Sequence, residues 1–490
     1  MHMVAILPRT PCESRREAFL SHQLYADPEL GSEESLASDV VAKGRKNQMN
    51  ANLAPSSAML RRVVIASVLG NAFEWFDFAI YGLFASTIAK LYFPAGNALV
   101  SLMLALATFG AAFAVRPLGG LVLGMYGDRV GRKRALSVTI ALMAIGTAII
   151  GVLPTYAAIG VAAPIMIVLA RLIQGFSAGG EFSGATTMLV EFAPANLRGF
   201  FASFQMCSQA LTFACGAAVA WLLSAHLSVE QFETWGWRLP FLFGVLVGPI
   251  GWIIRQKVDE SPEFLAFARD GKPAEKSAQR SPLRELFRFY SRETFAGTGI
   301  AIVGTASAYI FVFFVPIFAK QQLGIAAADV NLATLLSAAI ILLLSPLAGY
   351  LSDRIGRKTI LIPGIFGYGT VAWILFHQLI SAPSLHTLLM LQIGVSIFMS
   401  FIWGPIPIVL TELFPVHIRS TGVAITYNVA VLSFGGLAPF INTWLVKVTG
   451  NNFSPIYYVE CSVVIGLLGT LLLHPRLPNL RASALGRFFQ

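Results

Sequence analysis

Five charged residues lie inside long apolar stretches of the first half of this 490-residue chain. A charge at the depth of a hydrocarbon core costs at least ~2.5 kcal/mol on insertion scales, so each one needs a partner or a purpose. They are Glu74, Asp77, Arg116, Arg171 and Glu181. Glu74 and Asp77 are three residues apart, which places both on one face of a helix. A carboxyl group withdrawn from water beside another carboxyl can bind and release a proton near neutral pH.

We therefore expect a proton to be carried by Asp77, Glu74 or Glu181. The aromatic neighbours of Asp77 in the sequence favour its neutral form and make it the preferred carrier. Glu181 follows two glycines, which permit tight helix contact, so a hydrogen bond between helices is an equal alternative for it. The formal charge of the five residues is 2 − 3 = −1, so neutrality requires one protonated or compensated carboxyl group.

The two arginines suggest recognition of an anion. A guanidinium group offers a two-pronged donor to a carboxylate, and its charge does not switch off at physiological pH. We expect Arg116 and Arg171, together with Gln174, to contact such a ligand. The alternative is that each arginine only fixes helix packing. Helix geometry places Glu74 about 18 Å and Arg116 about 12 Å from the inner ends of their helices, so these two side chains can pair.

The second half of the chain is poor in buried charge and carries polar aromatic residues instead. Trp403 precedes a Gly-Pro pair, and a helix broken in this way can expose backbone carbonyl groups to a cavity. We expect this half to shape a ligand site, with ordinary packing as the alternative for each aromatic residue. The candidates are Tyr309, Trp403, Tyr427 and Asn428.

The composition identifies the elements that must position these residues. The chain is 56% hydrophobic and 12% charged, whereas soluble domains average about 25% charged residues. A water-soluble globular protein is therefore excluded. Twelve apolar stretches are each close to the ~20 residues that span a membrane. They cover residues 63–88, 98–124, 135–153, 161–190, 200–225, 238–254, 295–319, 330–351, 359–380, 385–411, 420–446 and 453–473.

These stretches predict an all-α membrane protein with twelve transmembrane helices in two pseudo-symmetric six-helix halves. Residues 1–58 are polar and are predicted to form a disordered tail, whose true start is Met1, Met49 or Met59. The predicted bundles cover residues 59–254 and 294–474. A central loop, 255–293, joins the bundles, and residues 475–490 form a second tail.

The charge pattern orients the chain and excludes other classes of protein. Lys and Arg resist translocation, so the basic loops, the central loop and both termini are expected on the cytoplasmic side. No basic stripe with interleaved aromatic residues indicates nucleic acid. The four cysteines lack metal-ligand spacing, and neither a phosphate-binding loop nor a clustered catalytic set is present. We expect no enzyme activity, no metal, and no cofactor other than a coupled proton.

A repeated loop supports two related halves. The run GMYGDRVGRK from Gly124 recurs as GYLSDRIGRK from Gly349, at an offset of 353 − 128 = 225 residues. EFAPANLR from Glu191 recurs as ELFPVHIR from Glu412, at an offset of 412 − 191 = 221. We expect contacts between these loops to hold one access state and release in the other. The candidate gating residues are Asp128, Arg129, Arg132, Asp353, Arg354, Arg357, Glu191, Arg198, Glu412 and Arg419.

The repeated loop resembles the cytoplasmic signature of the major facilitator superfamily. Four further motifs are similar to the metabolite:proton symporter family. They are GNAFEWFDF from Gly70, RPLGG from Arg116, RLIQGFSAGGE from Arg171 and WGWRLPF from Trp235.

The resemblance implies proton-coupled uptake by alternating access across a bacterial inner membrane. The substrates of that family are citrate and related carboxylates, 2-oxoglutarate, shikimate, or zwitterions such as proline and betaine. The two arginines favour a small carboxylate, with a zwitterionic osmolyte as the alternative. The expected partners are this small molecule and the lipid bilayer, and we expect the protein to act as a monomer.

Overall fold

A computed structural model describes residues 57–130, 132–245 and 282–473, and these residues are helical apart from short turns. Within them, ten helices are long and apolar enough to cross a membrane, and a shorter apolar helix covers Ser137–Val152. The prediction of an all-helical membrane protein is confirmed. Of the sixth predicted stretch, 238–254, residues 238–245 are described and are helical. The tail predicted for 1–58, apart from its last two residues, most of the central loop and the C-terminal tail lie outside the described residues.

The helices of the first half include long ones that begin and end close to the predicted apolar stretches, and short ones that lie at the ends of those stretches or between them. They are α1 (Ser57–Leu83), α2 (Ala85–Tyr92), α3 (Ala98–Val130), α4 (Arg132–Val152), α5 (Tyr156–Ile159), α6 (Ala162–Phe192), α7 (Arg198–His226) and α8 (Val229–Thr234). The helices of the second half are α9 (Pro282–Phe289), α10 (Ser291–Ala308), α11 (Val315–Gln321), α12 (Ala327–Ile355), α13 (Arg357–Ser381), α14 (Leu385–Trp403), α15 (Ile406–Glu412), α16 (Arg419–Phe434), α17 (Ala438–Thr449) and α18 (Ser454–Leu472).

Helix α9 was not predicted, because its sequence lies in the stretch interpreted as a loop. Its apolar residues alternate with charges over only eight positions, which hides them from a search for long apolar runs. Leu286 is buried, and Glu285 Oε1 lies 2.9 Å from His417 Nε2. This short amphipathic helix therefore packs against the rest of the second half, at the end that carries the repeated loops.

Three of the membrane-spanning helices are interrupted, two of them at glycine or proline residues. Gly404 and Pro405 separate α14 from α15, as the Gly-Pro pair predicted. Residues 435–437, two of which are glycines, separate α16 from α17. Between α10 and α11 the chain forms a π-helix, Tyr309–Phe314, which no sequence pattern indicated. Such π-helical turns often mark functional sites because they redirect side chains and carbonyl groups.

Helices α3 and α6 approach closely because glycines remove the side chains between them. A Cβ atom on Gly175 would lie 1.8 Å from the carbonyl oxygen of Ala112, and one on Gly119 would lie 1.9 Å from that of Phe176. Small residues at such crossings allow two backbones to touch in a membrane, where there is no hydrophobic drive for helix association. This crossing sets the positions of Arg116 on α3 and Arg171 on α6.

The two halves contact each other at both ends. At the end that carries the repeated loops, a Cβ on Gly349 would lie 2.5 Å from the carbonyl oxygen of Gly199. Towards the other end, Phe313 of the π-helix covers Gly82, and Leu437 covers Gly110. The described residues therefore enclose the middle of the molecule from both sides.

Candidate functional site

The first charged network joins α1, α3, α6 and α16. Arg116 Nη2 donates to Glu74 Oε1 at 2.9 Å and to the carbonyl oxygen of Ala178 at 3.1 Å. Arg116 Nε donates to Asn428 Oδ1 at 3.3 Å, and Asn428 Nδ2 donates to the carbonyl oxygen of Gly179 at 2.7 Å. The pairing of Glu74 with Arg116, expected from their depths, is confirmed. Asn428 extends this first-half network into the second half.

The second network lies about one helical turn away and stays within the first half. Arg171 Nη1 donates to Asp77 Oδ2 at 3.2 Å and to Gln174 Oε1 at 2.8 Å. Gln174 Nε2 donates to the same Asp77 oxygen and to Thr147 Oγ1 on α4. All four side chains are buried. Asp77 thus sits at the centre of a cationic and amide-lined site.

Phe78 connects the two networks. Its ring centroid lies 5.7 Å from Arg116 Cζ and 4.6 Å from Arg171 Cζ. The negative face of an aromatic ring attracts a cation, and this attraction strengthens when the pair is removed from water. The ring therefore separates two guanidinium groups that would otherwise repel each other, and it partly compensates the burial of both.

Glu181 is hydrogen-bonded to α4. Its Oε2 accepts a hydrogen bond from Thr139 Oγ1 on α4 at 2.9 Å, and the side chain is 4% exposed. A carboxylate this deeply buried makes the residue a candidate for proton binding as well as for helix packing.

A small cavity of about 10 Å³, the size of one water-sized sphere, lies between the halves. The side chains that line it come from both halves and include Trp75, Gln209, Tyr309, Trp403 and Tyr427. Trp403 Nε1 donates to the carbonyl oxygen of Gly304 and to Ser307 Oγ, both at 3.1 Å, which fixes its ring. Of these five lining residues, Tyr309, Trp403 and Tyr427 were predicted from the sequence as candidate ligand-contacting residues.

Several polar groups around this cavity have no acceptor among the described residues. They are the indole N–H of Trp75, the hydroxyl of Tyr309 and Arg116 Nη1. Arg116 Cζ lies 5.8 Å from the Trp75 ring, and the Trp75 and Tyr309 rings are 6.2 Å apart. Buried donors nearly always have a partner, so three unsatisfied groups in one place indicate a ligand.

The structure separates the predicted ligand-contacting residues into two groups. Tyr309, Trp403 and Tyr427 line the central cavity, and Arg116, hydrogen-bonded to Asn428, lies against the Trp75 ring that also lines it. Arg171 and Gln174 contact Asp77 instead. Sequence reasoning missed Trp75, Phe78 and Gln209 as site residues. Gln209 could have been recognised from the sequence, because it is an amide side chain inside an apolar stretch. Trp75 and Phe78 could not, because only their contacts distinguish them from ordinary core residues.

The repeated loop of the second half bridges the two halves through Asp353. Its Oδ1 and Oδ2 accept hydrogen bonds from the backbone N–H groups of Gly199 and Phe200 at 2.8 and 2.9 Å. These groups belong to the first turn of α7, so a carboxylate there also interacts favourably with the helix dipole. Arg357 holds Asp353 at 2.7 Å and donates two hydrogen bonds to Glu412 at 2.9 and 3.2 Å.

A second bridge at the same end joins Glu191 to Arg419, whose Nη1 lies 3.1 Å from Glu191 Oε1. Arg198 begins α7 and is half-buried, while Arg354 is exposed and lies over the Tyr350 ring at 5.1 Å. Of the other candidate gating residues, the side chains of Asp128, Arg129 and Arg132 lie outside the described residues.

Comparisons with known proteins agree with this architecture. The sequence profile of the family described as "Sugar (and other) transporter" matches residues 63–475. The citrate-proton symporter of Klebsiella pneumoniae is 38% identical over 412 residues, which are 83% of this chain and 90% of that protein. The proline/betaine transporter of Salmonella typhimurium is 34% identical over 417 residues, which are 84% and 82% of the two chains.

Solved structures show the same fold. The proton:xylose symporter XylE bound to 6-bromo-6-deoxy-D-glucose superposes with a TM-score of 0.69 at 19% identity, over 86% of this chain and 96% of that one. The family match and the similar transporters, together with this fold, identify a multi-pass membrane transporter of the major facilitator superfamily, which moves a small molecule. Within that superfamily, the chain belongs to the sugar (and other) transporter family.

Proposed function

We propose that this protein is a proton-coupled symporter that takes up a small organic acid, a citrate-like di- or tricarboxylate, by alternating access. The observation that carries the proposal is the set of unsatisfied polar groups at the central cavity. The indole N–H of Trp75 and Arg116 Nη1 can only donate, and the hydroxyl of Tyr309 can donate as well. Donors converging on one place are complementary to the oxygens of a carboxylate.

Arg116 supplies the charge that a carboxylate requires. One of its terminal nitrogens is held by Glu74 and the other faces no acceptor among the described residues. A carboxylate that binds Nη1 therefore gains a charged hydrogen bond, about twice as strong as a neutral one. A zwitterion also carries a carboxylate, but it brings a cation that must be placed near the same guanidinium group.

Asp77 is the residue that we assign to the coupled proton. The five charged residues singled out inside the apolar stretches, Glu74, Asp77, Arg116, Arg171 and Glu181, sum to −1, and protonation of one carboxyl brings the sum to 2 − 2 = 0. A neutral set costs far less than a charged one as the halves rearrange around it in a low-dielectric interior. Protonation of Asp77 also weakens its hold on Arg171, whose guanidinium touches Phe78 and, through that ring, the Arg116 network.

The central cavity must enlarge for a substrate to bind. At about 10 Å³ it holds no more than one water, so a citrate-sized molecule requires the two halves to move apart. Tyr427 and Phe182 stack across the two halves with centroids 3.6 Å apart. Separation of the halves on one side at a time would break this stack and the Asp353 and Arg419 bridges. That movement is alternating access.

The same proposal places the protein in the bacterial inner membrane as a monomer, with both termini and the Asp353 bridge on the cytoplasmic side. The basic residues of the repeated loops support this orientation. It also makes the described arrangement one in which the cytoplasmic entrance is closed.

Competition uptake in proteoliposomes tests the substrate. We expect an inward proton gradient, with the outside more acidic, to drive accumulation of radiolabelled citrate. Unlabelled tricarballylate, 2-oxoglutarate or shikimate should compete where they fit the site. A protonophore should abolish the accumulation. The second candidate is a zwitterionic osmolyte, which the 34% identity to the proline/betaine transporter favours. Saturable uptake of betaine with none of the acids would replace the first proposal with the second.

A further inference from the structure

A second and larger cavity lies inside the first half, away from the cleft between the halves. Its volume is about 250 Å³, and its walls come from α1, α4, α6, α7 and residues 239–245. Its lining is largely apolar, but three carboxylates face it: Glu74, Asp77 and Glu181. Since a water occupies about 30 Å³ in the liquid, this cavity has room for several waters with polar partners. We call it the bundle cavity.

The carboxylates lie at different depths along one face of α4. Glu181 is hydrogen-bonded to Thr139, and Gln174, which contacts Asp77, is hydrogen-bonded to Thr147. Thr139 and Thr147 are eight residues apart, which is about 12 Å along a helix. Direct proton transfer requires groups within about 3 Å, or one intervening water. A proton that passes between Asp77 and Glu181 therefore needs intervening groups, which waters in the cavity can supply.

Asp77 has a free position for such a chain. Its Oδ2 accepts from Arg171 and Gln174, whereas no described residue donates to its Oδ1. An ionised carboxylate oxygen without a donor is costly in a buried site, and an ordered water is the usual remedy.

We propose that the bundle cavity is a hydrated proton route, so that the proton crosses the first half between Asp77 and Glu181 while the substrate passes between the halves. The O–H bond at Asp77 breaks as a water accepts its proton, and the excess proton moves along the waters until an O–H bond forms at Glu181. The charged and titratable groups around Asp77 are Glu74 and Tyr81 on its own helix, Arg116 on α3, and Arg171 and Glu181 on α6. This inference rests on the proton-coupled symport proposed above.

Filling the bundle cavity tests the route. Ala144 lies on the α4 wall, and Ala144→Phe would place a ring between Thr139 and Thr147. The matched control is Ala141→Phe, on the exposed face of the same helix. Two measurements are made in proteoliposomes with radiolabelled citrate: net uptake driven by a pH gradient, and citrate-citrate exchange at equal pH, which needs no net proton movement.

We expect Ala144→Phe to slow net uptake about tenfold or more, as expected when a proton-transfer step is impaired, and to leave exchange near the wild-type rate. Ala141→Phe should change neither. Equal loss of uptake and exchange in Ala144→Phe, or normal net uptake, would overturn the route. Absence of citrate uptake and exchange in the wild type would instead defeat the proposed substrate.

Hydration is tested separately, without relying on a bulky substitution. In a variant whose native cysteines are replaced by serine, Ala144→Cys should react with a small, membrane-impermeant, water-soluble thiol reagent, because the reactive thiolate forms only where water reaches the sulfur. Ala141→Cys is the control: it lies on the exposed face of α4, where lipid rather than water is expected around the sulfur. An unreactive Ala144→Cys in a transport-competent variant would show a dry cavity and overturn the route.

Discussion

The two halves share a scaffold but not its chemistry. The offsets of the two repeated motifs relate Arg116 to Ile341 (116 + 225), Arg171 to Gln392 (171 + 221) and Glu181 to Ile402 (181 + 221). Six charged residues are buried in the described part of the first half, whereas no Asp, Glu, Lys or Arg is buried in residues 282–473. The repeat therefore preserves helices, glycines and bridging loops, while the buried charges belong to one half.

The position related to Arg171 shows what the second half does with this scaffold. Gln392 Nε2 donates to the carbonyl oxygen of Phe311 at 2.9 Å, within the π-helix that carries Tyr309. Where the first half uses a charge to hold Asp77, the second half uses an amide to shape the backbone at the central cavity. Two copies of one fold can therefore divide proton handling and substrate shaping between them.

The largest effect is expected at Arg116. Arg116→Lys retains the charge but loses the planar donors that reach Glu74, Ala178 and Asn428 together. Disrupting a buried ion pair of this kind costs about 3 kcal/mol, so citrate uptake should fall about 100-fold. The matched variant at the related position, Ile341→Val, should transport nearly normally. Equal losses in the two variants would remove the asymmetry between the halves.

Next in size is the close crossing of α3 and α6, which positions both arginines. Gly175→Ala would place a Cβ 1.8 Å from the Ala112 carbonyl oxygen, so the backbones must move apart. Overpacking of this kind costs about 1 to 3 kcal/mol, and the purified protein in detergent should melt at a lower temperature. Gly216→Ala serves as the control, because its Cβ would meet Leu83 at an ordinary 3.4 Å. An unchanged melting temperature for Gly175→Ala would contradict the packing described.

The bridge between the halves should give a smaller effect. Asp353→Asn removes the negative charge at the first turn of α7, a contribution of about 1 kcal/mol. Ser203 is buried next to Gly349, so a cysteine introduced there reports on the opening of this end. We expect this cysteine to react several-fold faster with a membrane-impermeant thiol reagent when Asp353→Asn is also present than when Asp353 is intact. Arg354→Gln is the control on the same loop, since Arg354 is exposed and lies over Tyr350. Equal labelling in the Asp353 variant and the parent protein would mean that this bridge holds no access state.

The smallest effect is expected at Gln392, and it tests the role of the second half. Gln392→Leu loses one hydrogen bond to the π-helix, worth about 1 kcal/mol, so the KM for citrate should rise about fivefold. The steady-state accumulation ratio at a fixed pH gradient should stay unchanged, because the coupling groups lie in the other half. A lower accumulation ratio would place coupling chemistry in both halves.

The sequence predicts much of this architecture, because apolar length is a direct requirement of the bilayer. The same reasoning found the buried charges and the pairing of Glu74 with Arg116. Sequence reasoning did not predict that Arg171 pairs with Asp77, or that Arg171 and Gln174 lie away from the central cavity. Both facts depend on the rotation of α6 about its own axis. The Asn428 contact, the π-helix and the stack of Phe182 on Tyr427 depend on how the halves meet, which no local pattern encodes.

Asp77→Asn is the most direct test of the proposal that Asp77 carries the coupled proton, because the amide keeps the size of the carboxyl group but cannot release a proton. Proteoliposomes containing this variant should be compared with wild type for accumulation of radiolabelled citrate under a pH gradient and for citrate-citrate exchange at equal pH. We expect accumulation to be abolished while exchange continues. Accumulation at the wild-type ratio would contradict the assignment of the coupled proton to Asp77.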